Sequence, residues 1–127
     1  MSACRILILE DCPHRHTAFK RLFAHAKVLK IVDTAKDCID QLINENWDEL
    51  YLDHDLGGET FVDSTTNGNT GYAVACWLEE NPGYKPPKIV IHSLNPSGAH
   101  RMQQALPGVP WIPGAWLGTA VLISDKD

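Results

Sequence analysis

The feature that most limits what this chain can fold into is an alternation. Short apolar runs stop abruptly at polar side chains and are separated by stretches with helical spacing. Residues 4–9 (Cys-Arg-Ile-Leu-Ile-Leu) stop at Glu10-Asp11, residues 49–53 (Glu-Leu-Tyr-Leu-Asp) run into His54-Asp55, and residues 88–92 (Lys-Ile-Val-Ile-His) run into Ser93-Leu94-Asn95. Runs this short, apolar on both faces and rich in branched residues, predict central strands of a parallel sheet. Residues 28–32 (Val-Leu-Lys-Ile-Val) predict another strand.

The intervening stretches predict helices. Pro13 suits a first helical turn, and Phe19, Leu22, Phe23 and Ala26 recur at helical spacing, which predicts a helix over 13–26. Thr34 is placed to cap a second helix ending near Asn46, with Ala35, Cys38, Ile39, Leu42 and Ile43 as its apolar stripe. A third helix is expected over 71–81, capped by Thr70 and apolar nearly all round, hence well buried; Trp47 and Trp77 read as core. A short helix is expected over 97–106, then a weak strand over 109–112. Pro110 cannot donate to a ladder, so that strand belongs at an edge. Ala115 to Ile123 fit a final helix or strand equally well. Strand–helix alternation of this rhythm predicts an α/β fold, a doubly wound five-stranded parallel sheet. At 127 residues it fits one domain over 1–127. Ligands of such sheets bind beyond the carboxyl ends of the strands, at the switch point, where the polar residues of this chain collect.

Charge narrows the partners. A net charge of −5 argues against binding bare nucleic-acid backbone, and no duplex DNA is expected. A nucleotide end, an RNA end or a small phosphorylated ligand remains compatible if a metal bridges the like charges. The four cysteines (Cys4, Cys12, Cys38, Cys76) form no Cys-x-x-Cys pair and read as reduced thiols of a cytoplasmic protein. No apolar run approaches the roughly 18 residues that span a bilayer, so no membrane is expected.

Glu10, Asp11 and Asp53 should converge at neighbouring strand ends. Carboxylates side by side repel unless a cation or a retained proton stands among them. Hard oxygen ligands suit a divalent metal, Mg²⁺ or Mn²⁺ first, and Asp55 could add its carboxylate or its carbonyl. The same residues could also simply end a strand and cap a helix. His54 follows Asp53 and leaves the strand on the opposite side. His92 ends the fourth run. Either imidazole could move a proton or steady a phosphate oxygen, with Ser93 and Asn95 donating to the same group. Gly57 and Gly58 permit close approach of backbone to a ligand, and the helix start at Ser97-Gly98 could receive a phosphate. For His92 the competing reading is a buried histidine bonded to backbone.

This order resembles the receiver domain of response regulators, a flavodoxin-like sheet of order 2-1-3-4-5, over essentially the whole chain. Glu10-Asp11 match the acidic pair after the first strand, Asp53 matches the phospho-accepting aspartate, and His92 stands where receivers carry Thr or Ser. Receivers place a lysine at the fifth strand; here no Lys or Arg occurs between Arg101 and Lys126. Leu52-Asp53-His54-Asp55-Leu56-Gly57 and Ile91-His92-Ser93-Leu94-Asn95-Pro96, with Gly98 after, look closer to the cyclic-phosphate-processing receiver-like family. That resemblance implies a metal-dependent phosphoesterase acting on a cyclic phosphate. It would use Glu10, Asp11, Asp53 and Asp55 as metal ligands, His92, His54 and Asp53 as catalytic groups, and Ser93, Asn95 and Gly57 at the phosphate. The missing lysine equally fits a non-catalytic receiver module that binds a protein partner or a phosphorylated ligand.

Overall fold

In a computed structural model the described residues are 4–56, 68–93 and 95–113. Gly57, Gly58 and the stretch 115–123 therefore lie outside the described residues. The chain runs β1 (Arg5–Leu9), α1 (Pro13–Leu22), β2 (Val28–Val32), α2 (Ala35–Asn44), β3 (Glu49–Leu52), α3 (Gly71–Glu80), a 3₁₀ turn (Pro82–Tyr84), β4 (Lys88–Ser93), α4 (Pro96–Ala105) and β5 (Trp111–Pro113). The strands form a five-stranded sheet of order β2-β1-β3-β4-β5, with every pairing parallel. The expected topology is found, with β5 at the edge.

Period-two alternation divides each strand between two cores. Leu7, Leu9, Leu50, Leu52, Ile89 and Ile91 face the larger one, with Cys38 and Leu42 of α2, Val74 and Leu78 of α3, and Met102 of α4. Ile6, Ile8, Tyr51 and Val90 face the smaller one, centred on Phe19 of α1. Parity thus fixes which side of the sheet each strand-end residue leaves from.

Several local expectations shift. The first helix stops at Leu22, where Phe23 leaves helical geometry and its N–H closes on Phe19; the residues to Ala26 form a turn. Ile43, expected in the α2 stripe, is exposed, and Trp77 is only half-buried and packs on Tyr84 with ring centroids 5.3 Å apart. The α3 helix is therefore buried along one face, Gly71, Val74, Ala75 and Leu78, and not all round. Thr34 caps α2 as expected, accepting from the Asp37 N–H at 3.1 Å. Thr70 does not cap α3, and its buried hydroxyl has no hydrogen-bond partner among the described residues. The four cysteines are free. No helix among the described residues is long and apolar enough to cross a membrane.

Candidate functional site

The sheet order reverses at β1, whose neighbours β2 and β3 both follow it in sequence. The switch point thus lies between the ends of β1 and β3, where Glu10 and Asp53 continue the ladder. Glu10 N–H donates to Val32 O at 2.9 Å and Asp53 N–H to Leu9 O at 3.1 Å. Glu10, Asp53 and His92 share the parity of Ile8, Tyr51 and Val90, so all three emerge on the α1 side. Each offers one ligand atom within 4.8 Å of the others. All are buried, at 0%, 3% and 4% exposure.

The start of α1 wraps Glu10. Its Oε2 accepts from the Cys12 N–H at 3.0 Å and its Oε1 from Arg15 Nε at 2.9 Å, while a His16 ring nitrogen meets its carbonyl. His92 Nδ1 lies 3.4 Å from the same Oε1, and its ring stands edge-on to Phe19 with centroids 4.9 Å apart. Arg15 also reaches toward Asp53, Nη2 to Oδ2 at 3.9 Å.

Burial first, then the Glu10 charge, pushes the Asp53 carboxyl up to about 9, against the pull of Arg15. Burial first, then Arg15, holds the His92 imidazole down to about 3, so it is neutral at ordinary pH. A neutral imidazole is what a metal ligand requires, and carboxyls this close together favour either a retained proton or a bound cation. Among the described residues four side-chain atoms are buried without a hydrogen-bond partner: Asp53 Oδ2 and His92 Nε2 in this cluster, and His54 Nε2 and Thr70 Oγ1 outside it. Buried polar groups are seldom left unmatched. Two carboxylates, one imidazole and unmatched lone pairs fit a divalent cation, and the nitrogen donor favours Mn²⁺ over Mg²⁺.

The structure separates the remaining expected site residues. Asp11 is half-buried and not one of the three convergent ligands. His54, expected as a proton carrier, leaves β3 toward the large core and is fully buried. Its Nδ1 lies 2.8 Å from Asp55 Oδ1, which also accepts from Asn95 Nδ2 at 3.0 Å. Asn95 Oδ1 caps α4 by accepting from the Gly98 N–H at 3.0 Å, so its amide nitrogen faces Asp55, and the network assigns the imidazole proton to Nδ1. His54 is sealed from solvent, Asp55 Oδ1 meets His54 and Asn95, and the Asn95 side chain caps α4. Ser93 is also buried: its Oγ accepts from the Asn95 N–H at 3.0 Å and its carbonyl from Trp111 Nε1 at 3.0 Å. At the α4 start the Gly98 N–H donates to Asn95 Oδ1. Replacing Asn95 by alanine should cost about 1–2 kcal/mol through the lost cap. Urea unfolding should show this loss with Mn²⁺ affinity unchanged; unaltered stability with lost affinity would reverse the assignment.

Sequence reasoning missed Arg15. A signal existed, because a cation in the first turn of a helix opposes the dipole and so calls for a compensating anion. Parity also marked Glu10, and not Asp11, as the partner of Asp53 and His92.

The sheet order and the acidic switch point define a receiver-type α/β domain. The same fold is found in a phosphorylated cyanobacterial phytochrome response regulator, RcpA, at 16% identity and a TM-score of 0.74, covering 98% of this chain and 91% of that one. The Mn²⁺-bound response regulator Rcp1 matches at 14% identity and 0.69, covering 96% and 92%. A CheY-like receiver domain from Methanospirillum hungatei JF-1 matches at 16% and 0.66, covering 98% of each chain. Comparison with curated proteins gives no match. The chain belongs to the family described as the cyclic-phosphate processing receiver domain, whose profile matches residues 5–108.

Proposed function

We propose that this protein is a divalent-metal-dependent phosphoesterase that opens a cyclic phosphate on a nucleotide or an RNA end. The observation that carries the reading is the buried convergence of Glu10, Asp53 and His92 with Asp53 Oδ2 and His92 Nε2 unpartnered. The family's description and the Mn²⁺ bound by the related Rcp1 support it. Glu10, Asp53 and His92 would hold the ion, and a bound divalent cation would supply positive charge to a phosphoryl oxygen. His92 then serves as a ligand, because an imidazole held near 3 is a weak base. Asp11, half-buried, follows Glu10 in the chain.

One observation favours a second reading. The three ligands are nearly inaccessible, which suits a non-catalytic receiver module that binds a phosphorylated ligand or a protein partner. A panel of 2′,3′-cyclic and 3′,5′-cyclic nucleotides, assayed with Mn²⁺ and Mg²⁺, separates the two. The phosphoesterase reading expects metal-dependent ring opening that His92→Ala and Asp53→Ala abolish. Intact Mn²⁺ binding with no turnover of any substrate would leave the module.

A further inference from the structure

The acidic site carries its own cation, and that cation lies at its mouth. Arg15 Nε donates to Glu10 Oε1 at 2.9 Å while Nη2 stops 3.9 Å from Asp53 Oδ2. The Arg15 side chain is 30% exposed, whereas those of Glu10 and Asp53 are 0% and 4% exposed. The guanidinium thus stands between the two carboxylates and solvent. Of its five N–H donors only Nε makes a hydrogen bond among the described residues. Among the described residues the other contact of this kind is His92 Nδ1, 3.4 Å from Glu10 Oε1 and 5% exposed. An incoming phosphate thus meets the guanidinium before the acidic groups behind it, which repel an anion when ionised. A planar guanidinium with unused donors on its outer edge matches a phosphate oxygen pair.

We propose that Arg15 is the anion-binding residue of this site. Its inner edge stays on Glu10, and its outer edge receives two oxygens of a phosphate mono- or diester. The inference rests on the reading above that the site takes a phosphate. It adds a second positive charge beside the metal's, from the start of α1, which the strand-end motifs do not include. A purely structural arginine would hold Glu10 and stop there.

The test measures inorganic phosphate and 2′,3′-cyclic AMP binding by calorimetry with Mn²⁺ present, for wild type, Arg15→Lys and Arg15→Gln. Losing a charged hydrogen-bonding group should weaken phosphate binding about tenfold or more in Arg15→Gln. Arg15→Lys, which keeps charge but not the fork, should fall between. Mn²⁺ affinity should be unchanged or tighter in Arg15→Gln, because a competing cation has left Glu10. A second measurement needs no variant: phosphate added to the Mg²⁺-loaded wild type should shift the Arg15 guanidinium NMR resonances. Phosphate bound equally well by wild type and Arg15→Gln, with those resonances unmoved, overturns the role of Arg15 and leaves the phosphate site standing. Mn²⁺ bound but no phosphate or cyclic nucleotide bound by the wild type overturns the phosphate reading itself, and this inference with it.

Discussion

Gly98→Ala should be among the most damaging single substitutions in this protein. A Cβ at that position would lie 2.3 Å from His54 Cγ and 2.5 Å from both Cδ2 and Nδ1. The ring cannot step aside, because its Nδ1 is bonded to Asp55, which Asn95 holds in turn. The helix cannot retreat either, since Asn95 caps it on the Gly98 N–H itself. Overpacking in a rigid site typically costs 1–3 kcal/mol and sometimes more; here about 3 kcal/mol is expected, a large share of a total of roughly 5–15 kcal/mol. Urea unfolding should show it as a lower midpoint. Gly83→Ala, with nothing within 4 Å of its Cβ, should stay within about 0.5 kcal/mol of wild type. The decisive comparison is Gly98→Ala combined with His54→Ala. Removing the ring removes the clash, so the double variant should be more stable than the sum of the single effects predicts. Additive losses would mean that the contact between α4 and β3 does not limit stability.

Asp53→Asn should change how stability depends on pH and on metal. In the metal-free protein the Asp53 carboxyl is pushed from 3.8 to about 9, chiefly by burial and then by Glu10. Between those values the folded state keeps a proton that the unfolded chain releases. Stability contributed by this group is therefore fully present below about 4 and is lost as pH rises toward 9. The steepest slope one proton can give is about 1.4 kcal/mol per pH unit. Metal-free wild type should weaken from pH 5 to pH 8 by this route, and Asp53→Asn, which has no proton to lose, should weaken less and be the more stable of the two at pH 8. Divalent cation should reverse the order. At a hundred times its dissociation constant, Mn²⁺ should add about 2.7 kcal/mol to wild type and little to the variant. Thermal unfolding at the two pH values, with Mn²⁺ or with chelator, measures all four arms. A variant stabilised by Mn²⁺ as strongly as wild type would remove Asp53 from the ligand set.

The outcome at His54 shows where sequence reasoning stops. That His54 leaves the strand opposite to Asp53 follows from the two-residue period alone. What it meets there does not. Asn95 and Gly98 lie 41 and 44 positions further along the chain, and only the packing of α4 against the end of β3 brings them to the ring. The Asp-His-Asp stretch therefore looks like one catalytic motif in sequence but is divided by the sheet. Asp53 faces the acidic site, and His54 and Asp55 secure a helix.

The sequence by itself determined the strands and their parallel sense, the resemblance to receivers supplied their order, and strand parity carries the side of the sheet on which Glu10, Asp53 and His92 emerge. Short apolar runs, helical spacing and strand parity are local properties, written in consecutive residues. Tertiary structure decided which polar residues became a site and which became supports. Burial depth, the neutral state of His92, the raised carboxyl of Asp53 and the position of Arg15 across both carboxylates depend on distances between segments remote in sequence. Electrostatic energies are set by those distances and by exclusion of water, and neither is encoded in the spacing of residues along one strand.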